Sequence, residues 1–342
     1  MKPTAIKRKT VKKTSEENGK KTILILVNKG FEFTGFEDGY NKVLGGIAFS
    51  NITLCCIENE LFGKGNSEED REKDRKLSSN SEEKHKRLLK YLHSEWQNPA
   101  PDYIFSVSTS ESTYEGQGGA TRDEKDKDGK LPPTANGCVY VGGRFFLADC
   151  REINKGKDHY GKSKLEVCSP ATGDTQYYKL TQGTINLLGV LSHKDLINSI
   201  NGSLVKVKRV PSFPKVPAQY YCSTDYCCVG VVNVTNYAQY PIADGYAYGR
   251  FYTETAERYG NPICIETTHG VVRMVAEKVY KGNVPPVIFV SPITDRFVRF
   301  DKDVTRTKDK EKFDNQNYAC SYNSGVAVAH MMKFLDDPKS YK

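Results

Sequence analysis

The chain is expected to fold as an α/β protein: a single domain built on a central mixed, mostly parallel sheet flanked by helices. Three observations predict this. Apolar runs of strand length ("TILILV", "YIFSV", "CCVGVV", "VIFV") lack polar alternation, as strands buried on both faces do in parallel sheets. Stretches with apolar residues at helical spacing fall between such runs, the order expected of strands joined by crossover helices. Finally, 342 residues with 38% hydrophobic content are enough to bury one large core.

Residues 1–20 read as a disordered basic tail and 21–338 as the domain. The run "KTILILVNKGFEF" (21–33) reads as a buried strand ending in polar residues, and "ITLCCIE" (52–58) as a second. Residues 63–87 are dense in charge. A helix follows in "SEEKHKRLLKYLHSEW", with Ser81 as N-cap, Glu82 and Glu83 in the first turn, and Leu88, Leu89 and Leu92 as its apolar stripe. "PDYIFSVST" (101–109) is a third strand, and 122–133 a polar loop punctuated by Gly and Pro. "GCVYVGGRFFLADC" is two strands, or one strand bent at Gly142 and Gly143. "SLVKVKRV" (203–210) alternates as a half-exposed strand does, whereas "CCVGVVNV" reads as buried. "YTETAERYG" is a short helix stopped by Gly260. "PICIETTHGVVRMVAEKVYKG" is a strand entering a helix that ends near Gly282. "PPVIFVS" is the last core strand, and residues 315–336 form a closing helix. There is no internal repeat.

The net charge of +8 is unevenly spread: residues 1–21 hold eight Lys/Arg and two Glu, so +6 lies there and only +2 in the rest. The globular part is therefore not expected to bind nucleic acid strongly. The tail reads as a solvated arm, with nuclear localisation or anion binding as the other reading. No run of 18 or more apolar residues exists, so no membrane span is expected. The first residues lack an apolar h-region, so no secretory signal is expected and a cytoplasmic location follows. None of the ten cysteines forms a CxxC pair, no Cys/His spacing suggests zinc, and several sit inside apolar runs. Reduced, core-packed thiols are expected, the alternative being a secreted, disulfide-bonded chain.

In α/β sheets ligands bind beyond the carboxyl ends of strands. The residues immediately after the apolar runs are Glu32; Thr109, Ser110, Glu111 and Ser112; Thr235, Asn236 and Tyr237; Glu266; and Asp295. Carboxylates and hydroxyls thus gather on one rim. G-x-S-x-G, P-loop and G-x-G-x-x-G patterns are absent, which disfavours a serine triad, ATP and NAD. Each rim residue also has a plainer reading. Asp295 beside Arg296 suits a surface ion pair, Glu266 a helix cap, and Glu32 a loop position. Tyr237 suits core packing, and His269 a helix face.

Four stretches, "ILILVNKGFEF", "PDYIFSVSTSES", "ICIETTHGVVRMVAEK" and "PPVIFVSPITDRF", together with the closing "YACSYNSGVAVAHMMKFL", resemble in order and wording the nucleoside phosphorylase and nucleosidase superfamily. The likeness is closest to its methylthioadenosine/S-adenosylhomocysteine nucleosidase branch, as a divergent member. The resemblance implies a nucleoside phosphorylase-like fold and cleavage of an N-glycosidic bond in a purine nucleoside or a 5′-substituted relative. It implies Asp295 as the acid toward the base, Glu32 as the residue that positions water, and Glu266 as the holder of the ribose hydroxyls. Thr109 and Ser110 stand in the small-residue loop against the substrate, and Tyr237 would stack on the base. No cofactor or metal is implied, phosphate being a possible co-substrate, and a homo-oligomer is expected, with 237–252 as candidate contact. Two departures stand out: "STSESTYEGQGG" replaces the family's glycine-rich loop, and Ser291 stands where the branch often has arginine. They keep open a second function, a catalytically degenerate nucleoside-binding sensor or storage protein of the same fold.

Overall fold

A computed structural model describes residues 20–28, 30–46, 49, 52–57, 81–112, 136–149, 151–157, 163–166, 177–207, 217–232, 259–296 and 316–341. In chain order the elements are β1 (Lys21–Val27), α1 (Gly30–Leu44), β2 (Ile52–Ile57), α2 (Ser81–Glu95), β3 (Tyr103–Val107), β4 (Ser110–Ser112), β5 (Val139–Gly142), β6 (Arg144–Asp149), β7 (Arg151–Lys157), β8 (Ser163–Glu166), β9 (Tyr177–Tyr178), α3 (Gln182–Leu191), α4 (Lys194–Ser203), β10 (Tyr220–Cys222), β11 (Tyr226–Val232), β12 (Asn261–Glu266), α5 (His269–Tyr280), β13 (Val287–Arg296) and α6 (Gln316–Asp336), followed by a 3-10 turn, Pro338–Tyr341.

The apolar runs do pair in parallel. β1 lies between β2 and β3, and β13 follows on the far side of β3. Ladder groups satisfy one another, and both faces are covered. Leu24 and Leu26 of β1 point into a cluster built from α2 and α5, including Leu88, Leu92, Val272 and Val275. Ile23, Ile25 and Val27 point the other way, into a cluster with Phe33 and Phe36 of α1, Leu187 and Leu188 of α3, and Val328 of α6.

The sheet curls back on itself. The second half of β13 pairs with β4, β4 antiparallel with β12, and β12 with β11. Residues 139–149 then close the path: β6 pairs with β11, while β5 pairs antiparallel with β13 across Phe289–Pro292. The bend between β5 and β6 needs glycine. A Cβ on Gly142 would lie 2.6 Å from the Phe289 ring, and one on Gly143 2.5 Å from Thr184 Cγ2.

Several boundaries differ from the sequence reading. The run 21–33 is not one strand: β1 ends at Val27, and Gly30 opens α1. β13 continues past Ser291 to Arg296 through a register shift between Ile293 and Asp295. Residues 204–207 do not form a strand. There Asn323 of α6 takes the place of a ladder, its Oδ1 accepting from the Val205 N–H (2.9 Å) and its Nδ2 donating to Val205 O (3.0 Å). Glycines dilute the apolar stripes of α1 and α3, whereas α4 carries one in Leu196 and Ile200 outside the elements expected from the sequence. The helix expected over 252–260 lies largely outside the described residues, as does the tail 1–19.

Cys138, Cys227, Cys228, Cys264 and Cys320 are buried free thiols and Cys222 is half-buried. Burial pushes the Cys222 thiol up to about 11, so it stays protonated. Among the described residues no helix is long and apolar enough to cross a membrane.

Candidate active site

The site begins at the carboxyl end of β1. Asn28 extends the strand by donating its backbone N–H to Val107 O (2.9 Å). The chain then turns into α1, whose first turn carries Glu32. α1 is clamped against α6: a Cβ on Gly35 would sit 2.5 Å from Tyr318 O, and one on Gly39 2.1 Å from Tyr322 O. Such close backbone approach leaves α1 no room to slide, so Glu32 is held rigidly. Its carboxylate, 1% exposed, faces the loop after β3. Thr109 donates its backbone N–H to Oε2 (2.9 Å) and its hydroxyl to Oε1 (2.7 Å).

From Thr109 a chain of polar contacts crosses the sheet. Ser110 Oγ donates to Ser291 Oγ on β13 (3.0 Å). Ser291 Oγ meets His269 Nε2 (2.8 Å), and Cys264 Sγ donates to the same oxygen (3.3 Å). His269 Nδ1 meets Ser106 Oγ on β3 (2.8 Å). The imidazole is fully buried, and burial pushes its pKa below the ordinary value; the Glu266 carboxylate pulls it up and the Lys84 ammonium pushes it down. His269 is accordingly neutral, each ring nitrogen facing a hydroxyl.

Glu266 closes β12 and is buried. Its carboxylate accepts the backbone N–H groups of Thr268 and His269, so it caps α5, whose N-cap residue Thr268 makes no side-chain cap of its own. A carboxylate there is favoured by the helix dipole. Next to it, Lys84 reaches in from α2, fully buried, and donates to Thr267 Oγ1 (3.0 Å), Thr267 O (3.3 Å) and Thr268 Oγ1 (2.9 Å). A buried ammonium needs such a full set of acceptors.

Of the residues expected at the site, Glu32 is held by Thr109, and Ser110 is joined to Glu266 through Ser291 and His269; the peptide bond between Thr109 and Ser110 connects the two sets. Glu266 takes its capping position while closing the same rim. Asp295 lies in β13 with its backbone paired to Glu111, the residue after Ser110. The Asp295 and Arg296 side chains and all of Tyr237 lie outside the described residues, as does the contact expected over 237–252. Two participants were missed. His269 was read as a helix-face residue, and nothing in its spacing marks it. Lys84 had a signal, since it stands four and eight residues before Leu88 and Leu92 on the buried stripe of α2. Among the described residues no group of three or more His, Cys, Asp or Glu side chains could hold a metal ion.

No family model matches the chain, and no curated protein matches it. Among solved structures it is similar to S-adenosylhomocysteine nucleosidase from Streptococcus pyogenes, at 12% identity over 93% of this chain and 98% of that one, with a TM-score of 0.47. It is similar to a putative 5′-methylthioadenosine/S-adenosylhomocysteine nucleosidase from Borrelia burgdorferi at 9% identity, over 91% of this chain and 99% of that one (TM-score 0.47). Native futalosine hydrolase of Helicobacter pylori is similar at 10% identity, over 92% of this chain and 97% of that one (TM-score 0.43).

Proposed function

We propose that the chain cleaves the N-glycosidic bond of a purine nucleoside or a 5′-substituted relative. The observation that carries this reading is the contact chain linking two buried carboxylates, Glu32 and Glu266, at one rim of the sheet. The sequence resemblance at the same positions supports it.

The reaction divides among the residues as follows. The C1′–N bond breaks and its electron pair leaves with the base, which takes a proton from the Asp295 carboxylic acid. The sugar passes through an oxocarbenium-like state. Glu266 accepts a hydrogen bond from a ribose hydroxyl, fixing the ring. The acceptor, water or phosphate, adds its oxygen to C1′; when it is water, its proton goes to Glu32. Tyr237 stacks on the base, and a second copy of the chain covers the site.

A panel of purine nucleosides and 5′-substituted relatives, followed by chromatography with and without phosphate, tests this. Free base from at least one substrate is the expected result. No base from any of them, with a ligand-induced rise in Tm, would instead make the chain a nucleoside-binding sensor or storage protein. Release only with phosphate would remove the water-positioning role from Glu32.

A further inference from the structure

Two serines interrupt apolar runs on adjoining strands: Ser106 in β3 and Ser291 in β13, both fully buried. Hydroxyls in such places need partners. Ser106 is level with Phe289 in the parallel pairing, so Ser291 stands two residues further along the same face. His269, the first residue of α5, lies over that face, its ring 5.7 Å from the Phe289 ring. Each ring nitrogen meets one hydroxyl, Nδ1 that of Ser106 and Nε2 that of Ser291, both at 2.8 Å.

The donors around Ser291 decide which nitrogen carries the hydrogen. Ser291 Oγ accepts from Ser110 Oγ (3.0 Å) and from Cys264 Sγ (3.3 Å). The other acceptor within reach of Ser110 Oγ, Ser108 O, is further away at 3.3 Å. A hydroxyl has two lone pairs and one hydrogen. With both lone pairs taken, the Ser291 hydrogen goes to Nε2, which is therefore the bare nitrogen. Nδ1 carries the ring hydrogen and donates it to Ser106 Oγ.

This brace reaches each element that bears a proposed site group on its side of the sheet. The backbone N–H of His269 holds the Glu266 carboxylate. Ser110 follows Thr109, and Ser291 precedes Asp295 by four residues on the same strand. Between them the pairing of β13 with β4 shifts register, between Ile293 and Asp295. A register shift re-aims the residues beyond it, so the strand needs a fixed point just before it. Apolar groups of the same shape at all three positions would be nearly as stable. What they would lack is direction, which a satisfied polar network supplies.

We infer that His269, held as its Nδ1–H tautomer, is a positioning residue: it pins β13 at Ser291, and so the placement of Asp295, to the turn that carries Glu266. The positioning role rests on the nucleosidase reading; the tautomer does not.

Nitrogen-15 NMR of the full chain labelled at histidine, with His269→Gln to assign the signal, tests the tautomer at pH 7. A protonated Nδ1 and a bare Nε2 are expected. A protonated Nε2, or an imidazolium, overturns the inference. For the positioning role, Ser106→Ala, His269→Leu and Ser291→Ala are combined, so that no member of the trio is left facing an apolar replacement. On a substrate that releases base, kcat should fall about 10- to 100-fold with KM little changed, the range of misplaced reacting groups, while Tm stays near that of the unaltered chain. Unchanged kcat, or a fall no larger than the loss of folded protein, would make the trio purely structural and overturn the role. His269→Gln keeps an acceptor near the Nε2 position and should recover most of the rate. His269→Asn, whose amide reaches only the Nδ1 position, should not; equal rates in the two would also overturn it. If the unaltered chain releases no base from any nucleoside, the nucleosidase reading and the positioning role fall together, and the tautomer is still decided by NMR.

Discussion

Thr109 gives its backbone N–H and its hydroxyl to one carboxylate, and Glu266 takes two backbone N–H groups at the start of a helix. Each acid is thereby held in one orientation before any ligand arrives, and preorganisation of this kind lowers the cost of binding and reaction. The same logic gives two predictions. Asp295→Asn keeps shape and removes the transferable proton, so turnover should fall about 10²- to 10⁴-fold while nucleoside binding, followed by calorimetry, persists. Unchanged turnover would remove Asp295 from the chemistry. Lys84→Met leaves Thr267 O and the hydroxyls of Thr267 and Thr268 without their buried donor. A loss of about 1–3 kcal/mol in urea unfolding is expected; no loss would mean that the ammonium's desolvation had cancelled its bonds.

At the scale of elements, the decisive contact is α1 against α6. Gly39 lets the two backbones meet, and the Cβ of an alanine there would overlap Tyr322 O at 2.1 Å. Gly39→Ala should therefore destabilise by about 1–3 kcal/mol, since backbone, not a flexible side chain, must move. It should also displace Glu32 at the other end of α1, which a drop in kcat greater than the loss of folded protein would report. α6 is tied down again at its far end. His330 Nδ1 meets Tyr341 OH (2.9 Å) and Nε2 meets Ser203 Oγ (3.0 Å). Burial, helped by Lys333, lowers its pKa from 6.5 to about 4. The folded state thus resists protonation at this position. The stability it contributes is full above pH 6.5 and is lost as the pH falls through about 4. His330→Gln should flatten that part of a Tm-against-pH curve; an unchanged slope would assign the loss to other groups.

For the whole molecule, closure of the curled sheet through β5 and β6 makes both halves of β13 share one framework. The residues from β1 to α6 should accordingly unfold in one transition, with calorimetric and van't Hoff enthalpies in agreement. Limited proteolysis should remove about 20 amino-terminal residues and leave a resistant remainder. Two equal, stable halves would contradict a single domain. A mass above that of one chain by light scattering at micromolar concentration is expected for the proposed homo-oligomer; a monomer would count against it.

Periodicity and burial determined much of this in advance. The runs of β1, β3, β11 and β13 are apolar without alternation because both their faces are covered, and such a run reads the same in one dimension as in three. Glu266 was legible for a related reason: a chain leaving a buried strand must turn polar, and Glu266 follows Ile265 directly, whereas Glu32 lies beyond β1 in the first turn of α1. Tertiary structure decided the rest. Whether Glu266 capped α5 or only flanked it depended on where Thr268 turned the chain. Asn323, more than a hundred residues away, replaced the strand expected at 204–207 with a single carboxamide. The pairings of His269 with Ser106 and Ser291, and of Asn28 with Ser108, join residues 163, 22 and 80 positions apart. No local pattern encodes such contacts, because they arise only once parallel strands lie side by side and present the same level of the sheet to one another.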